Sequence, residues 1–155
     1  MKVVEEELPE MKQKPRMRAP LAIDVNADRQ SVVVNAPAAE LYRHCLRVEN
    51  LPQFISSITN IERISDTCFT CTSIINGEEV RSSVEIIMRV SDRRIAWHAV
   101  SDHFRIGVVF FDPLPNGATR VTVKVRSIIE PVMLTGALRS YLANFKRFVE
   151  QTRAE

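Results

Sequence analysis

The stretch PVMLTGALRSYLANFKRFVEQTR, residues 131–153, decides the fold. Leu134, Leu138, Tyr141, Phe145 and Phe148 recur every three or four residues, with Leu142 and Val149 beside them. Arg139, Lys146, Arg147 and Glu150 fill the remaining arc, so the spacing predicts one long helix with a single apolar stripe. Upstream, from Ile58 to Glu130, the period changes to two. Asn76-Gly77 is a type I′ hairpin signal, and Ser91–Arg93 and Asn116-Gly117 supply two more turns. Strands are expected at 58–65, 67–75, 78–90, 93–100, 104–112 and 118–130. A sheet with one apolar face thus runs into one helix able to cover it.

The alternation assigns faces. In strand 78–90, Val80, Ser82, Val84, Ile86, Met88 and Val90 share one side, and Arg81, Ser83, Glu85, Ile87 and Arg89 the other. In strand 118–130, Val121, Val123, Val125, Ser127 and Ile129 oppose Arg120, Thr122, Lys124, Arg126 and Ile128. Phe104, Ile106, Val108 and Phe110 are the more apolar set of their strand, and Ile95 shares a face with Trp97.

Ahead of these strands, Ser31–Val34 reads as a further strand. Asn35 is a candidate N-cap, with Pro37 in the first turn of a helix carrying Leu41, Cys45 and Val48. Pro52 is expected to open a second, short helix after a break at Glu49–Asn50. Residues 1–28 hold five basic and six acidic residues and three of the eight prolines, with no sustained period. They are expected to form an extended or disordered arm, with Leu21–Val25 able to add a short strand, ahead of one domain at 29–153. The expected class is α+β, a helix-grip: a seven-stranded curved antiparallel sheet in the order β-α-α-β-β-β-β-β-β-α, wrapped on the last helix.

Composition bounds the function. A charged fraction of 26% and a net charge of +2 give no global reason to expect DNA. No apolar run approaches the roughly 18 residues of a membrane span. The start of the chain, with Glu5, Glu6 and Glu7 after two valines, lacks the apolar core of a signal peptide. Three cysteines suit reduced thiols. The expectation is a cytoplasmic protein.

The ordered segments Ser31–Pro37, Leu41-Tyr42, Val48–Phe54, Arg94–Trp97, Gly107–Leu114, Gly117–Val123 and Leu142–Glu150 resemble the START/Bet v 1-like superfamily, in its bacterial polyketide cyclase/dehydrase and coenzyme-Q-binding branch. The resemblance spans about 31–152 and implies a cavity between sheet and last helix. It also implies a range of roles, from lipid and quinone carriers to polyketide aromatases/cyclases. Cys71 and Ser82 stand where such relatives often carry tryptophan, which would widen the cavity or leave space for neighbours to refill.

Chemical motifs are sparse. Cys68 and Cys71 form a CxxC, but an offset of three within a strand puts them on opposite faces, which argues against a metal or redox pair. His44, His98 and His103 are expected at the surface. Tyr141 is the best inward polar group, with Asn144 beside it. No P-loop, GxGxxG or HExxH occurs, and no catalytic residue, metal site or cofactor is expected.

These readings favour a pocket for a small hydrophobic or amphipathic molecule: a lipid, a quinone or a polyketide-like compound. The expected lining is Val84, Ile86, Met88, Trp97, Phe104, Ile106, Val108, Val123, Val125, Leu138, Tyr141 and Leu142, with Leu51, Phe54 and Ile55 at the mouth. A polyketide aromatase/cyclase is the alternative. It would act mainly by holding a reactive chain in one conformation, because the enclosed face offers almost no acids or bases. A third reading is an interaction protein whose basic outer face, Arg81, Arg89, Arg105, Arg120, Lys124 and Arg126, meets an anionic partner.

Overall fold

The computed structural model describes residues 26–100, 105–129 and 131–154. Seven strands occur among them: β1 (Asn26–Val34), β2 (Ile58–Arg63), β3 (Cys68–Ile75), β4 (Glu78–Val90), β5 (Arg94–Val100), β6 (Arg105–Pro113) and β7 (Thr119–Ser127). Helix α1 (Ala38–Leu46) and a 3-10 helix (Val48–Gln53) follow β1, and α2 (Pro131–Ala154) closes the order. All strand pairs are antiparallel in one sheet, β1-β7-β6-β5-β4-β3-β2, and the architecture is the expected helix-grip. The expected arm falls mostly outside the described residues, as does the strand at Leu21–Val25. Residues 26–28, however, already belong to β1.

Local chemistry explains the elements. Asn76 and Gly77 both take positive φ (53° and 79°), the mirror-image turn that matches the twist of a hairpin. Asn35 is not the cap of α1. Pro37 occupies that position in extended backbone, and the Asn35 N–H instead donates to Glu150 Oε2 at 2.9 Å. The break after α1 is at Arg47, earlier than expected, and Pro52 sits inside the 3-10 helix and does not open one.

Helix α2 lies along edge strand β1 and is fastened at both ends. Thr135 Oγ1 donates to Asp28 Oδ2 (2.8 Å), Arg139 to Gln30 (3.2 Å), Lys146 to the Val33 carbonyl (2.8 Å), and Glu150 accepts from Asn35. From Thr135 to Glu150 a helix rises about 22 Å, and from Asp28 to Asn35 a strand covers about 23 Å, so the two ladders stay in step. The stripe is turned slightly from its expected centre: Leu134, Leu138, Leu142, Phe145 and Val149 are buried, while Tyr141 and Phe148 are half-buried.

The core is densest where α1, the 3-10 helix and the second half of α2 meet the sheet. Leu41, Phe111, Val121 and Val149 are at most 1% exposed there. Phe54 stacks edge-on against Phe145, with centroids 5.0 Å apart, and Tyr42 against Phe111 at 6.1 Å.

Candidate functional site

Between the concave face and α2 lies a cavity of about 250 Å³. Strand alternation supplies its floor: Phe69, Cys71 and Ser73 from β3, Val84 and Ile86 from β4, Ile95, Trp97 and Ala99 from β5, and Val121, Val123 and Val125 from β7. Leu134, Ala137, Leu138, Tyr141, Leu142 and Phe145 of α2 form the roof, and Cys45, Leu51, Phe54, Ile55 and Ser57 close one end. No Asp, Glu, Lys, Arg or His belongs to this wall among the described residues.

Of the residues expected to line a cavity, Val84, Ile86, Trp97, Val123, Val125, Leu138, Tyr141 and Leu142 are placed around it. Three are not. Met88 is 39% exposed, because the β4–β5 register shifts between Ile86 and Met88: Ile86 opposes Trp97, but Met88 opposes Ala96 on the other face. Ile106 and Val108 face outward too, in an open depression of about 540 Å³ with Ala96, Lys124 and Arg126. Phe104 lies outside the described residues.

The facing of β6 is thus the reverse of that expected, and Gly107 is the reason. Gly107 pairs with Trp97, and a Cβ there would overlap the indole. The inward series is therefore Gly107, Val109 and Phe111. The one position without a side chain makes room for the largest one.

Of the residues expected at the mouth, Leu51 and Ile55 are half-buried at the cavity's end and Phe54 is only 6% exposed. Two bonds tie this end to α2. Asn144 Nδ2 donates to the Phe54 carbonyl at 3.3 Å, and the Ser57 and Tyr141 hydroxyls share a bond at 3.2 Å. Asn144 does not border the cavity. Arg63 holds the other flank, pairing with Glu49 at 2.9 Å and keeping that carboxyl below its usual range.

Polar wall atoms missed in the sequence include Ser57, Cys45 and Ser73. Ser73 was accessible to the period-two rule from Cys71, as Ile95 and Ala99 were from Trp97. Ser57, in the turn before β2, carried no such signal. Cys71 Sγ and Ser73 Oγ lie 3.6 Å apart, while Cys68 faces the other side opposite Glu85. The surface that Cys45 exposes is cavity wall, not bulk water, and desolvation pushes its thiol up to about 12. It therefore stays protonated and unreactive near neutral pH.

Arg81, Arg120, Lys124 and Arg126 are exposed, and Lys124 sits over the Phe110 ring at 5.2 Å. The same register shift puts Arg89 opposite Ile95, on the cavity-side face, so it leaves the outer cationic set. The Arg105 side chain is outside the described residues. His44 is not a surface residue: its side chain is 13% exposed, its ring packs on Phe148 at 5.4 Å, and burial lowers its pKa. His98 is half-buried, and His103 lies outside the described residues. No helix is long and apolar enough to cross a membrane among the described residues.

No family model matches the chain. An uncharacterised 17.2 kDa protein of Streptomyces lincolnensis is 28% identical over 136 residues, covering 81% of this chain and 91% of that protein. A START superfamily protein from Mycobacterium smegmatis superposes with a TM-score of 0.71 at 17% identity, over 81% of this chain and 98% of that one. The di-domain ARO/CYC StfQ from the steffimycin biosynthetic pathway gives 0.71 at 18% identity, over 82% of this chain and 46% of that one. Element order, sheet topology and these superpositions agree: the chain has the START/Bet v 1-like helix-grip fold.

Proposed function

We propose that the protein binds a small hydrophobic or amphipathic molecule in the cavity between sheet and α2. The observation that carries this reading is a continuous apolar enclosure roofed by a helix that spans it without filling it. Burial of about 25 cal/mol per Å² of ligand surface would drive binding, and a few hydroxyls would orient the guest. The fold, shared with a START superfamily protein, supports the same reading.

Native mass spectrometry of freshly purified protein, before and after organic extraction, tests it. A defined small-molecule mass lost on extraction supports binding. A single apo mass, with no uptake from a panel of apolar compounds, would overturn it.

A second reading, an ARO/CYC-like cyclase, draws on the likeness to StfQ and on the Ser57–Tyr141 hydroxyl pair in the wall. It asks for proton transfer from a wall that holds no carboxylate, imidazole or amine among the described residues, so holding a molecule is better supported than transforming one. Its test is a product differing in mass from the ligand supplied, and recovery of only unchanged ligand counts against it.

A further inference from the structure

The size, charge and polar atoms of the cavity restrict its guest more tightly than apolar character does. Resting on the binding role proposed above, we infer that the ligand is an uncharged, compact, ring-sized molecule. It carries one oxygen that accepts a hydrogen bond from the Ser57–Tyr141 pair.

Three observations lead there. At about 250 Å³ the cavity lies at the small end of ligand pockets, which run to about 300–1,000 Å³, and so suits a two-ring compound better than a long-chain lipid or a four-ring skeleton. Among the described residues the wall offers no cation to pair with a carboxylate or phosphate, and a buried unpaired charge costs far more than apolar contact returns. The third is donor arithmetic. Each hydroxyl of Ser57 and Tyr141 has one proton and two lone pairs, and the 3.2 Å bond between them consumes one proton. Whichever donates, one O–H remains with no acceptor among the described residues, on two side chains that border the cavity. A ketone or hydroxyl oxygen satisfies it.

Trp97 and Gly107 set the limit on size. The indole rests against Gly107, and the space on its other side is the cavity. Any side chain at 107 drives the ring into that space, so this pair fixes the depth available to a guest.

Trp97 is also the sole tryptophan of the chain, so its emission reports occupancy directly. Titration with α-tetralone, a neutral two-ring ketone, should quench Trp97 saturably. Its carboxylated analogue and progesterone, a larger neutral ketone, should not. Tyr141→Phe and Ser57→Ala should each weaken α-tetralone about threefold to tenfold and leave the oxygen-free analogue tetralin unchanged. Gly107→Ala should weaken both two-ring compounds with the circular dichroism spectrum retained.

Tighter binding of progesterone or of the carboxylate would overturn this inference while leaving ligand binding intact. Equal weakening of tetralin and α-tetralone by both hydroxyl variants would overturn the orienting role. Failure of every compound, together with an apo mass from fresh protein, would instead overturn the binding role itself.

Discussion

The two halves of α2 carry the same apolar period and do different things with it. In the second half, Val149 is fully buried, Phe145 stacks on Phe54, and Phe148 meets His44. In the first half, Leu134 and Leu138 are buried too, but in a smaller cluster with Val125, flanked by Trp97 and Val123, that borders the cavity. The difference lies beneath the helix. Helix α1 and the 3-10 helix, with Phe54 directly after it, insert Leu41, Tyr42, Val48 and Phe54 into the core cluster of the second half, while among the described residues no such element lies under the first. A curved sheet and a straight helix diverge, and the chain fills the gap at one end only. A cavity of this kind follows from an omission and not from a special residue.

The largest effects should separate the halves by truncation. Phe145→Ala removes a ring that stacks on Phe54 at the closed end of the cavity and should cost about 3–5 kcal/mol in chemical denaturation. Leu138→Ala should cost about 2 kcal/mol, because one side of Leu138 already faces empty space and has fewer contacts to lose. Equal losses would break the contrast.

Enlargement sharpens it in the opposite direction. Val149→Phe must force atoms into a site with no room and should cost about 1–3 kcal/mol. Ala137→Leu points added methyls into the cavity, so stability should change by less than about 0.5 kcal/mol while binding of two-ring ligands falls. Thermal melts and Trp97 titrations on the two variants read both quantities.

The helix was legible from its stripe, and the sheet from its alternation and the Asn76-Gly77 turn. Facing was legible only where one side of a strand was polar. β7 alternates valine with arginine, lysine and threonine, and its cavity side is the expected one. β6 is apolar on both sides, Ile106, Val108 and Phe110 against Val109 and Phe111, so local pattern cannot orient it. What orients it is the cross-strand match of Gly107 to Trp97, which needs the register. Met88 and Arg89 were misplaced for a related reason: a bulge inserts one residue and reverses every facing after it. The outline of the cavity wall was therefore readable, but its β6 part and the Ser57 end were not.

The smallest expected effect, and the finest test of the asymmetry, is pH. Under the second half of α2, His44 is desolvated, its Nδ1 has no hydrogen-bond partner among the described residues, and burial lowers its pKa below 6.5. Glu40, 3.9 Å away, pulls in the opposite direction, and Arg47 and Arg43 add to the lowering. Because the folded value is depressed, the unfolded chain takes up the proton first as pH falls. Stability is therefore full above pH 6.5 and declines below it until His44 protonates in the folded state. Glu150, held down by Lys146 and the Asn35 N–H, and Asp28, held down mainly by Thr135, are depressed carboxylates whose contributions are lost only below 4.5 and 3.8. Between 6.5 and 4.5 the second half of α2 should therefore loosen first, with faster hydrogen exchange there than over Leu134–Tyr141. His44→Gln should flatten the stability profile in that window and leave the decline at lower pH. An unchanged slope in the variant would show that the packed half holds no buried titrating group, and that the two halves differ in packing alone.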